Sequence, residues 1–79
     1  MAQIIYRYFK KELPEGLILV RINPVNLEGL ELLVSKEGAL QQTARQFDQD
    51  IYDDLEYDEF AKGSALEFNL YLKGIKPDK

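Results

Sequence analysis

Residues 47–60 read FDQDIYDDLEYDEF, in which seven carboxylates and no basic side chain are interleaved with six apolar or aromatic residues. Clustered oxygen donors are what a calcium ion requires. With Asp48 at the first position of an EF-hand loop, Asp50 falls at the third and Glu59 at the twelfth. Tyr52 then occupies the fifth position, where a ligand is needed, and Asp53 the sixth, where glycine permits the sharp turn. The register excludes a regular EF-hand loop and leaves Asp48, Asp50 and Glu59 as an irregular calcium alternative.

Helical geometry gives the same stretch a different use. At about 100° per residue, Ile51, Tyr52 and Leu55 share an apolar face, while Asp50, Asp53, Asp54 and Glu56 fill the rest of the circumference. Tyr57 falls on the acidic side, within one turn of Asp53 and Asp54, and Asp58 follows it. An aromatic ring encircled by negative charge suits a basic surface on a partner protein: the ring supplies contact area and the carboxylates supply steering. The expected partner-binding set is therefore Asp50, Asp53, Asp54, Glu56, Tyr57 and Asp58. The competing reading is a solvated helix face that keeps the chain in solution and binds nothing.

At the other end of the chain, YRYFKK alternates Tyr6, Tyr8 and Phe9 with Arg7, Lys10 and Lys11. Aromatic platforms beside cations are what single-stranded nucleic acid needs. Two features weigh against that use. Alternation along a strand turns much of this aromatic surface toward the core, and an isoelectric point near 4.7 leaves no basic footprint. Mimicry of a nucleic acid by the carboxylates is equally poorly supported by a net charge of −4.

Catalysis is not expected. The chain has no histidine and no cysteine, the usual neutral-pH base and the most reactive nucleophile. Ser35 and Ser64 have no identifiable activating partner, and neither GxxxxGK[ST] nor GxGxxG occurs, so no cofactor is implied. Two carboxylates could flank a glycosidic bond, but a chain of 79 residues leaves little room for the surrounding cleft.

The elements that must position these residues follow from periodicity and punctuation. QIIYRYFKK reads as a strand over about 3–10, and ELPEG as its turn. LILVRIN, aliphatic and β-branched, suits an inner strand over about 16–23. NPVNLEG is a loop closed by Gly29, and LELLVS a third strand over about 30–35. Leu40, Ala44, Phe47, Ile51 and Leu55 have the spacing of one long helix face. That helix conflicts with SKEG, which has the form of a hairpin turn ending on a left-handed glycine, and it would place five carboxylates at its negative end. The expectation is a fourth strand over about 39–46 and a short helix over about 49–57 with Asp48 as N-cap. SALEFNLYLKGIKP alternates like a strand, yet Ser64 and Glu67 form a capping box, Gly74 a C-terminal stop, and Pro77 follows; a helix over about 65–73 is expected.

Together these give an α+β fold: an antiparallel meander of three to four strands, one face covered by C-terminal helices, forming a single domain over 1–75 with a short tail at 76–79. Gly16 and Gly38 are read as turn positions, and Phe47, Phe60 and Phe68 as core packing. The longest aliphatic run, Leu17 to Val20, is far short of the roughly 20 residues that span a bilayer. The basic residues of MAQIIYRYFKK follow its apolar stretch, the reverse of a signal peptide. With no cysteine to indicate an oxidising compartment, a cytoplasmic, non-membrane protein is expected. Its function is that of a small acidic interaction or regulatory module. The alternative is an accessory subunit of a larger complex, or a homodimer formed through an exposed sheet edge.

Overall fold

The computed structural model describes residues 5–73. In chain order the elements are β1 (Arg7–Leu13), β2 (Gly16–Ile22), β3 (Glu28–Ser35), β4 (Leu40–Gln46), α1 (Ile51–Tyr57), β5 (Ala61–Lys62) and α2 (Ala65–Leu72). All five strands join one sheet in the order β4-β3-β2-β1-β5, with every neighbouring pair antiparallel. The four-stranded meander and both helices are those expected, but β1 runs Arg7–Leu13 rather than about 3–10: Glu12 and Leu13 of ELPEG pair with Leu17 and Gly16, which leaves Pro14 and Glu15 as the turn. The two-residue β5 was not anticipated. It pairs outside β1 through Phe9↔Lys62 and Lys10↔Ala61, and the Gly63 N–H extends it by donating to the Tyr8 carbonyl at 2.8 Å.

Local chemistry explains the hairpins. The β3–β4 turn closes on Ser35, whose carbonyl accepts from Gly38 N–H at 2.9 Å and whose Oγ accepts from Ala39 N–H at 3.0 Å. Gly38 sits at φ 90°, a conformation that costs other residues a Cβ clash. That turn makes Leu40–Gln46 a strand rather than the first half of a helix. In the β2–β3 loop, Asn23 Oδ1 accepts from Val25 N–H at 2.8 Å and Asn26 Oδ1 from Glu28 N–H at 3.0 Å, the local bonding that suits asparagine to turns. Gly29 does not end this loop as expected. It lies inside β3, where an added Cβ would run into the Phe47 ring and the Arg21 carbonyl. Gly16 likewise opens β2, pressed against the Val34 carbonyl, rather than forming the turn.

The layering differs from the expected single covered face: the helices lie on opposite sides of the sheet. Side chains alternate along a strand, so β2 sends Ile18, Val20 and Ile22 one way and Leu17 and Leu19 the other. The first set packs with Ile51 and Leu55 of α1, joined by Phe9, Leu27, Phe47, Tyr52 and Phe60. The second packs with Phe68 of α2 and Leu32, joined by Tyr8, Leu30, Leu40, Tyr71 and Leu72. A central strand apolar on both faces needs a cover on both faces, and each short helix supplies one.

α2 is anchored in several ways. Ser64 Oγ accepts from Glu67 N–H at 3.0 Å, the first half of the expected capping box. The Glu67 carboxylate turns instead to Lys10 Nζ, 3.2 Å away, tying the helix to β1. Phe68 is 1% exposed, with the Tyr8 ring edge-on at 5.5 Å. Complete burial of such a side chain contributes about 1.5–3 kcal/mol. The expected stop at Gly74, Pro77 and the tail at 76–79 lie outside the described residues.

Candidate acidic docking site

α1 begins at Ile51, and Asp50 rather than Asp48 occupies the N-cap position, without a side-chain capping bond. Asp48 lies two residues too early: its backbone carbonyl accepts from Ile51 N–H at 3.0 Å in the turn that leads into the helix. At the other end the chain closes in a Schellman motif. Phe60 N–H donates to Leu55 O at 2.9 Å, Glu59 N–H donates to Glu56 O at 3.0 Å, and Glu59 takes the left-handed conformation at φ 66°. Phe60 packs on the same cluster as Leu55, the apolar contact that accompanies this motif. Glycine usually fills that left-handed position because a Cβ makes it costly. Glu59 is thus fixed by its backbone role.

Among the described residues, no group of three or more carboxylates converges as a metal site. Asp48, Asp50 and Glu59 are therefore not brought together as the irregular calcium alternative needs. They fall before, at and after a short helix.

The partner-binding set is gathered on one side. Asp50, Asp53, Asp54, Glu56, Tyr57 and Asp58 are all exposed, while Ile51 and Leu55 are buried. Tyr57 is 88% exposed, and helical geometry puts it almost opposite the buried pair, between Asp53 and Asp54. Among the described residues the ion pairs are Lys10–Glu67 and Arg45–Glu31, so none of the seven carboxylates in 47–60 is paired. Asp50, Asp54 and Asp58 stand four residues apart in one column, an arrangement in which like charges repel.

α1 has no basic residue in its last turn, but the fold supplies one from a distance. Lys11 of β1 donates from Nζ to the Asp58 carbonyl at 2.6 Å, with its ammonium 5.8 Å from the centre of the Phe60 ring. A cation at a helix C-terminus offsets the negative end of the dipole. On the opposite flank of α1, Tyr52 packs against Phe9 with centroids 6.0 Å apart, under the Arg7 guanidinium at 5.8 Å. Its buried hydroxyl has no hydrogen-bond partner.

Beside the acidic column runs an open groove of about 340 Å³. Ile18, Val20, Ile51 and Leu55 form its floor; Leu13, Phe47 and Phe60 bound it, with Lys11, Glu31 and Asp58 at the rim. Leu33, next to Ile18 across the β2–β3 register, continues this apolar surface and is 43% exposed. Sequence reading missed the groove, because its lining comes from four separate stretches, 11–13, 18–20, 31 and 47–60. The visible signal was the pair Phe47 and Phe60, which bracket the acidic stretch.

The aromatic residues of YRYFKK are engaged within the protein. Tyr8 meets Phe68, Phe9 meets Tyr52, and Tyr6 lies 4.7 Å from the Arg21 guanidinium. Strand alternation sends Tyr8 and Phe9 to opposite faces of the sheet. They form no continuous stacking platform.

No helix of the described residues is long and apolar enough to cross a membrane. No protein-family model, curated protein or solved structure matches the chain.

Proposed function

We propose that this protein is a non-catalytic interaction module whose acidic α1 face receives a basic surface of another protein. The observation that carries the reading is Tyr57, 88% exposed at the centre of a face whose carboxylates have no cationic partner among the described residues. Each local rule broken by α1 points the same way: an uncapped start, a column of like charges and a non-glycine left-handed residue. Such departures concentrate where a surface serves something other than stability. The unpaired carboxylates speed encounter with a cationic partner, and the tyrosine ring supplies the contact area that holds it.

The test is affinity purification from the native host with the wild-type chain and with a Tyr57→Ala, Asp53→Lys double variant. The variant is expected to lose the captured partner and the wild-type complex to weaken as salt rises. Retention of the same partners by both chains sinks the proposal.

A second reading has its own observation. β4 has no strand on its outer side among the described residues and carries no proline, acidic residue or bulge along its seven positions. Such an edge is open to strand addition by a second copy or by a larger assembly. Light scattering distinguishes the two uses: a dimer abolished by Thr43→Pro supports the edge, and a monomer at high concentration removes self-association.

A further inference from the structure

We infer that the partner of the acidic face is an amphipathic cationic segment, whose apolar side chains enter the groove between α1 and the sheet while its lysines or arginines lie along α1. The inference rests on the proposed role of the acidic face and specifies what binds there. Charge and shape change together at this place. On the helix, Ile51, Leu55 and Asp58 line the groove, so the groove-side edge of α1 is the one that carries Asp54 and Asp58. Across the groove, Glu31 is already engaged by Arg45 at 3.1 Å, so the unpaired negative charge lies on the helix side alone. Between them lies apolar surface from Leu13, Ile18, Phe47, Phe60 and the 43%-exposed Leu33.

A purely basic partner would leave those side chains in water, and a purely apolar one would gain nothing from the carboxylates. One that alternates the two satisfies both. A groove of about 340 Å³ accepts one or two large side chains. Other occupants fit less well. Nucleic acid would meet the carboxylate column phosphate-first, and a second copy of this chain brings the same net charge of −4. For a small molecule the site lacks the converging polar groups that fix orientation.

The probe is a short synthetic peptide with leucines on one helical face and lysines on the other, compared with a sibling of equal charge in which serine replaces leucine. Binding is read by fluorescence anisotropy at low and high salt. The wild-type chain is expected to prefer the leucine peptide by about tenfold or more, the return on burying one or two leucines. Leu13→Gln and Leu33→Gln, which leave the charge unchanged, are expected to erase that preference without altering affinity for the serine peptide. Circular dichroism confirms that each variant is folded, and a preference that survives in both folded variants overturns the inference. Equal binding of the two peptides by the wild-type chain also overturns the groove inference while leaving the acidic-face reading intact. If neither peptide binds at low salt, or if the Tyr57→Ala, Asp53→Lys variant binds both as tightly as wild type, the acidic-face reading falls and the inference with it.

Discussion

α1 and α2 are nearly equal in length, seven and eight residues, and they differ in almost every device that holds a helix. α2 starts on a bonded serine cap, ties Glu67 to a lysine of the sheet and sinks Phe68 to 1% exposure. α1 starts on an aspartate that caps nothing, stacks like charges along one edge and turns an aromatic ring outward. It is held from beneath by Ile51 and Leu55 and gripped at its end by Lys11. The contrast separates two tasks. α2 closes a core, whereas α1 closes a core and also presents a surface whose composition works against the helix that displays it.

Removing each helix's anchor puts this division of tasks to its most severe test. Phe68→Ala is expected to cost about 3–5 kcal/mol, which approaches the whole stability of a domain this small. Leu55→Ala is expected at the lower end of about 2–5 kcal/mol, because the open groove beside it lets the site relax. Urea denaturation should therefore find the first variant largely unfolded and the second still folded; the reverse order would mean that α1 is the more important cover.

Caps provide the next contrast. Ser64→Ala is expected to lose about 1 kcal/mol with its bond to Glu67 N–H. Asp50→Ala, with no such bond to lose, should leave the midpoint unmoved or raise it slightly. Equal losses in the two variants would erase the distinction between the helix starts.

Glu59→Gly relieves the left-handed residue at the end of α1 and is expected to gain up to about 1 kcal/mol, seen as a higher thermal midpoint. The smallest effect belongs to the charge column. Asp54→Asn removes its middle member and should stabilise by about 0.2–0.5 kcal/mol, a gain that disappears at high salt. A loss on the same substitution would mean that the carboxylates support the helix instead of straining it.

Much of this fold was legible before any coordinates, for identifiable reasons. The SKEG turn with its obligatory glycine decided that 40–46 is strand, against a periodicity that favoured helix. Ser64 with Glu67 decided that 65–72 is helix, against an alternation that favoured strand. The placement of the helices on opposite faces was missed, although the aliphatic residues of LILVRI do not alternate with polar ones, a pattern that requires cover on both sides. β5 was not legible, because two residues carry no period. On the candidate site, the outward position of Tyr57 followed from helical geometry alone. The cap was misplaced because Asp48 and Asp50 are chemically alike and only the path of the backbone distinguishes them. Gly29 resembled a loop residue until Phe47, eighteen positions later, came to lie over it.

The strand that both helices share has a consequence for how the molecule comes apart. Leu19 belongs to one cluster and Val20, its chain neighbour, to the other. Lifting α1 exposes Val20 and Ile22, and once β2 loses its footing on that side it can no longer hold Leu19 against Phe68. Two separate clusters are thus expected to behave as one cooperative unit, with a single melting transition and with the amides of β2 the last among the described residues to exchange their hydrogens with solvent.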